Sequence, residues 1–160
     1  MASPSDANGF LRDAIDLAVD NVTSGLGGPF AALVVEDDTV LATGTNRVTT
    51  IHDPTAHAEI TAIRAACKER GDFSLEGCTL YSTCEPCPMC LGAIYWARLD
   101  AVVYAATRSD AADAGFDDHE IYDEIDKAPQ DRSIPMTQHL ESEGQRPFEA
   151  WLDYDERIEY

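Results

Sequence analysis

Apolar residues recur at helical spacing in the first stretch of the chain. Phe10, Leu11, Ala14, Ile15, Ala18 and Val22 fall on one face of residues 6–24, with Arg12, Asp13, Asp16 and Asp20 off it. This predicts an amphipathic helix, capped by Ser5 or Asp6 and ended by Gly25, before a Gly27-Gly28-Pro29 turn. The pattern then changes. Phe30 to Glu36 is apolar almost throughout, as in a strand buried on both faces. Asp37-Asp38 predicts a tight turn into a second strand, Thr39 to Gly44, which completes a hairpin. Asn46 to Pro54 is polar and irregular. Helical spacing returns over Thr55 to Arg70, with Ile60, Ile63, Ala66 and Cys67 on one side, Asp53 or Thr55 as cap and Gly71 as stop.

Cys78 to Ser82 predicts a short strand and Cys84 to Pro86 a turn. Pro88 to Arg98 predicts a helix with proline at a first helical position, and Ala101 to Ala106 a further strand. A hairpin followed by two strand–helix alternations indicates an α/β layered sheet. The last third is less regular. Ala111 to Asp118 reads as a loop and His119 to Asp126 as a short helix; Pro129 and Pro135 break the chain, and Ile134 to His139 reads as a short edge strand. Phe148 to Tyr160 is amphipathic. There is no linker, repeat or low-complexity segment, and 160 residues make one domain by size.

Charge adds a second layer. The chain carries 30 acids against 11 cations, a net charge of −19, with the acids spread along its length. The reading favoured here is a solvated acidic coat suited to high salt, as in a halophilic protein, because at ~1 M salt charges are screened within ~3 Å. A basic partner is the other reading. Either way the surface is poor for gripping phosphates, so no nucleic-acid partner is expected. No apolar run approaches the ~18 residues of a membrane span. Met1 to Asn8 is polar and lacks a basic region leading into an apolar run, so no secretory signal is expected and the location expected is cytoplasmic.

The chemistry concentrates in two short motifs, His57-Ala58-Glu59 and Pro86-Cys87-Pro88-Met89-Cys90. Five cysteines, an odd number, with Cys84, Cys87 and Cys90 in C-x-x-C-x-x-C spacing, argue for metal rather than disulfides. Both motifs sit at expected helix starts, where the helix dipole favours thiolate over thiol. Cys87 and Cys90, three apart, share a helix face. His57, Cys87 and Cys90 make three protein ligands, and a catalytic zinc keeps its fourth position open for water whereas a structural zinc takes four protein ligands. Glu59 stands on the same turn as His57, placed to move a proton between water and a substrate ring. H-x-E with P-C-x-x-C is the signature of zinc deaminases acting on nucleobases. A closed structural site would need Cys84 as fourth ligand. Cys84 reads instead as a buried support of the turn, and Cys67 and Cys78 as core residues.

These motifs, with Gly27-Gly28-Pro29-Phe30, Asp53 to Glu59 and Cys84 to Arg98, resemble the cytidine-deaminase-like superfamily. Within it, Asp110 to Asp118, Ile121-Tyr122, Ile134-Pro135 and the terminal Glu159-Tyr160 resemble the bacterial-type guanine deaminases, over nearly the whole chain. The resemblance implies a three-layer α/β/α sandwich around a five-stranded mixed sheet. It also implies a homodimer in which residues 117–160 swap onto the partner subunit. It implies zinc-dependent hydrolysis of guanine, a free purine base, to xanthine and ammonia, Glu59 and Asp118 as proton carriers, Phe30, Asn46, Ala58 and Trp96 around the substrate, and Tyr160 capping the site from the partner chain. The rivals are a tRNA adenosine deaminase, a cytosine or cytidine deaminase, and a non-enzymatic module held together by zinc.

Overall fold

The computed structural model describes residues 4–160, with side chains described from Ala7 onward. The expected Ser5 or Asp6 cap therefore lies outside the described side chains, as does Met1 to Ser3 of the stretch read as lacking a secretory signal. The chain forms two compact units, one ending at Asp118 and one spanning His119–Tyr160.

In the first unit, helix α1 (Pro4–Thr23) leads into strands β1 (Ala31–Glu36) and β2 (Thr39–Thr45). Asp37 and Asp38 both take positive φ, 45° and 61°, which closes the hairpin with the handedness that twisted strands prefer. A single turn, α2 (Val48–Ile51), precedes helix α3 (Ala58–Arg70), which Gly71 ends at φ 71°. Strand β3 (Cys78–Cys84), helix α4 (Pro88–Trp96), strand β4 (Ala101–Ala106) and helix α5 (Arg108–Asp113) follow.

The sheet order is β2-β1-β3-β4, antiparallel except for the parallel β3–β4 pair. Period-two alternation divides its side chains between two cores. Leu33, Val35 and Tyr81 meet Ala14 and Phe10 of α1 on one face. Ala32, Val34 and Leu80 meet Ala58, Ala62 and Ile63 of α3 and Ile94 of α4 on the other. Gly44 brings β2 against the start of α3 so closely that a Cβ there would overlap Ala58 O and Ala62 N.

The second unit holds α6 (His119–Ile125) and α7 (Arg146–Asp153), with single 3₁₀ turns at Pro129–Asp131 and Glu143–Gln145. Among the described residues no helix is long and apolar enough to cross a membrane.

Several expectations need correction. The mixed sheet has four strands, not five. The expected fifth, Ile134 to His139, is irregular: Pro135 has no N–H to offer a ladder, and no strand among the described residues pairs with it. The expected swap of residues 117–160 is not seen either: His119–Tyr160 closes into a compact unit within its own chain. The start of the predicted 111–118 loop is helical, because Thr107 and Asp110 form a reciprocal capping box that sequence reading overlooked. Helix α3 begins at Ala58 rather than Thr55, because Asp53 Oδ1 accepts from both Thr55 N and Thr55 Oγ1 and holds that segment in a turn.

Candidate metal centre and active site

The two motifs end up at two helix N-termini facing each other. His57 is the N-cap of α3, with extended backbone at φ −67° and ψ 159°. Cys87 is the N-cap of α4, at φ −66° and ψ 168°, followed by Pro88. The His57 side chain makes no capping bond to α3, and its imidazole meets the Cys87 sulfur at the start of α4. Cys90, one turn further along α4, is fully buried. His57 Nδ1 lies 3.5 Å from Cys87 Sγ and 3.5 Å from Cys90 Sγ. The three donor atoms lie within 4.8 Å of one another, and Cys84 is outside the group.

Charge is distributed unevenly among these groups. Cys87 is held as a thiolate, its thiol brought down to about 4, first by the bond it accepts from Cys90 and then, against the opposing effect of burial, by His57. The Cys90 thiol is pushed up, first by that same bond and then by burial. The bond to Cys87 raises the His57 imidazole.

Glu59 lies in the first turn of α3, 6% exposed. Burial raises its carboxyl above the ordinary glutamate value. Its Oε2 accepts from Cys90 Sγ at 3.4 Å, and its Oε1 from Ser82 Oγ at 3.3 Å. Cys84 Sγ donates to Thr107 O at 3.5 Å, and burial pushes its thiol up to about 11. It supports the turn and does not join the cluster.

Asp118 is half-buried, and its carboxyl is raised first by burial and next by the Cys87 charge, which puts it within electrostatic reach of the ligands. Phe30 meets the edge of Phe116, ring centroids 4.9 Å apart at 86°. Asn46, buried at the end of β2, accepts with Oδ1 from Gly28 N and Val48 N, both at 3.3 Å. Arg47 N donates to Ala56 O, which ties this segment to the residue before His57. Ala58 is fully buried. Trp96 is 69% exposed, at the opposite end of α4 from Cys87, roughly 13 Å away along the helix axis. Tyr160 belongs to the second unit, where its ring meets Trp151 at 6.5 Å.

Residues 4–106 match the family of the cytidine and deoxycytidylate deaminase zinc-binding region. The chain belongs to that family. Guanine deaminase from Bacillus subtilis (strain 168) is 56% identical over 151 residues, 94% of this chain and 97% of that protein. The X-ray structure of guanine deaminase from Bacillus subtilis superposes with a TM-score of 0.94 at 55% identity, covering 96% of this chain and 98% of that one. The tRNA-specific adenosine deaminase of Aquifex aeolicus is 41% identical, but over 78 residues, 49% of this chain and 52% of that protein.

The donor set of this deaminase fits zinc. Tetrahedral zinc with bonds of ~2.3 Å to sulfur and ~2.0–2.1 Å to nitrogen sets those ligand atoms about 3.5 Å apart. The measured His57–Cys87 and His57–Cys90 separations are 3.5 Å. Three protein ligands with an adjacent carboxylate is the open, catalytic arrangement, not the closed structural one.

Sequence reading missed Ser82 and Asn21. Ser82 had a usable signal: Leu80, Ser82 and Cys84 alternate onto one face of β3, and Leu80 faces α3. Asn21 also had one, as a polar residue on the buried Ala14–Ala18 stripe of α1.

Proposed function

We propose that this deaminase hydrolyses free guanine to xanthine and ammonia. The observation that carries the reading is the similarity to the Bacillus subtilis guanine deaminase, which runs through 94% of the chain, including the second unit. The similarity to the tRNA-specific adenosine deaminase spans about half of either protein. A net charge of −19 also supports a free base over an RNA, since RNA affinity rests on cations.

His57, Cys87 and Cys90 would hold the zinc, which when bound lowers the pKa of a water to ~7 and so supplies a nucleophile at neutral pH. Glu59 takes a proton from water and passes it to ring N3. A C2–O bond forms, the C2–N bond breaks, and the amine leaves as ammonia once protonated. Burial supports Glu59 in this part, because a raised carboxyl gives up its proton more evenly near neutral pH. Asp118, raised in the same direction, is the second proton carrier for the departing amine. Phe30, backed by Phe116, offers a ring face for the purine to stack on. Asn46 has its Oδ1 committed to two backbone N–H groups, which leaves its Nδ2 as a donor for an acceptor atom of the base. Ala58, Trp96 and Tyr160 are proposed around the substrate on the resemblance alone.

The test offers guanine, adenine, cytosine and cytidine separately to the zinc-loaded protein and measures ammonia. Release from guanine alone is expected. Release from another base and not from guanine would overturn the specificity while leaving the deaminase chemistry.

A further inference from the structure

We propose that Asn21, on α1, is the positioning residue that sets the substrate-binding edge formed by Asn46 and Phe30. The inference rests on the proposed role of those two residues toward the base.

Asn21 is 3% exposed and shares the inward stripe of α1 with Ala14 and Ala18. Its Nδ2 donates twice, to Gly28 O at 2.9 Å and to Asn46 O at 3.0 Å. One amide thus ties α1 to the loop before β1 and to the end of β2. Asn46 answers by accepting from Gly28 N with its own Oδ1. Gly28 is therefore gripped at both backbone groups, its N–H by Asn46 and its carbonyl by Asn21. Phe30 joins the same knot, since its N–H donates to Gly28 O and its carbonyl accepts from Asn46 N. Gly27 has no room for a side chain, because a Cβ would overlap Asn46 O and lie 3.0 Å from Asn21 Nδ2.

The orientation of the Asn21 amide follows from this. Turned over, its oxygen would face two carbonyl oxygens. As placed, Asn21 Oδ1 is buried without a partner among the described residues. A buried acceptor left unpaired costs stability. An apolar residue like Ala14 or Ala18 would avoid that cost but would take the donor away from Gly28 O and Asn46 O, so asparagine is held here by the loop that carries Asn46. The geometry accounts for it through Asn46. With Oδ1 of Asn46 held by Gly28 N and Val48 N, its Nδ2 has one direction in which to donate. Asn21 fixes the backbone from which that donor projects.

The experiment compares Asn21→Ala, Asn46→Ala and the double variant in the full-length, zinc-loaded protein. Asn21→Ala is expected to raise KM for guanine roughly tenfold and leave kcat within about twofold, the signature of lost ground-state binding. Zinc per chain stays at the wild-type value. In the Asn46→Ala background, Asn21→Ala adds less than about twofold, because the two residues act as one. An unchanged KM, or the same tenfold factor in both backgrounds, overturns the proposal. Amide hydrogen exchange at Gly28 and Val48 reads the knot without turnover. It is expected to speed up in Asn21→Ala, or in Asn21→Ser should the alanine variant not fold, and unchanged exchange at both overturns the proposal. If the wild type fails to turn over guanine, the substrate reading falls, and this exchange measurement still decides the role of Asn21.

Discussion

Ser82 Oγ lies 3.3 Å from Glu59 Oε1, with both residues buried. The direction of the bond is set by a second one: Ser82 Oγ accepts from Cys84 N at 3.5 Å, so its proton is the one turned to the carboxylate. Glu59 is thereby held at one oxygen by Ser82 from β3, and its other oxygen accepts from Cys90 Sγ until zinc binding displaces that thiol proton. A proton carrier must sit at a fixed place, and the Ser82 bond fixes it in the zinc-loaded protein.

Substituting Glu59 by Gln keeps the shape of this arrangement and removes the proton carrier. Activity on guanine is expected to fall by about 10²–10⁴-fold with zinc content unchanged. Ser82→Ala is the milder version. It retains the carboxylate but releases one oxygen, and about a tenfold loss is expected, in line with ~1.5 kcal/mol for a hydrogen bond to a charged group. Steady-state rates beside metal analysis check both. Wild-type turnover by Glu59→Gln would remove Glu59 from the mechanism.

Gly44→Ala tests how the fold delivers the site. The added methyl meets Ala58 O and Ala62 N, in the turn of α3 that carries Glu59. A loss of about 1–3 kcal/mol in urea unfolding is expected from overpacking. Zinc affinity and turnover are expected to fall with it, because His57 moves with the helix start. A variant as stable and as active as wild type would show that β2 and α3 do not press together there.

Much of this site was legible from residue spacing, and the reasons for the gaps are physical. His57, Glu59, Cys87 and Cys90 could be placed at helix starts because proline at position 88 and the change to helical spacing mark those starts. The knot around Gly28 was not legible, because the position of Asn21 on an apolar stripe marks it as buried but does not point to Gly28 or to Asn46, far along the chain, as its partners. Helix α5 was missed because the Thr107–Asp110 capping box went unread and Ala111-Ala112 were grouped with Gly115 to Asp118, which do read as loop. The fifth strand comes with the family resemblance and not from spacing: Ile134 to His139, with Pro135 inside it, has few apolar positions and no neighbour among the described residues to pair with.

Zinc loading is expected to release protons. Cys90 keeps its thiol proton in the metal-free arrangement, where the Cys87 thiolate and burial hold it high. Metal ligation requires the thiolate, so at least about one proton leaves per zinc bound, and affinity rises with pH. Titration calorimetry in two buffers of different ionisation enthalpy measures this directly. Identical heats in the two buffers would contradict it.

The Thr107–Asp110 capping box gives a pH dependence of stability. Asp110 Oδ2 accepts from Thr107 Oγ1 at 2.6 Å and from Thr107 N at 2.7 Å, which holds its carboxyl below the ordinary value of 3.8. A carboxyl lowered on folding stabilises the protein fully above its unfolded value, and the contribution disappears as pH falls through the lowered one. Asp110→Asn is therefore expected to lower the Tm at about pH 7 and to converge on the wild type as pH falls through the lowered value of Asp110. A deficit that stays constant with pH would mean that the charge of Asp110 contributes nothing.

The most direct test of the whole account is ammonia release from guanine by the purified protein before zinc removal, after removal by a chelator, and after zinc is restored. The account predicts equal amounts of ammonia and xanthine from the loaded protein, none after removal, and recovery on restoring zinc. Undiminished release from the zinc-free protein, or no release from a folded protein with zinc bound, would contradict it.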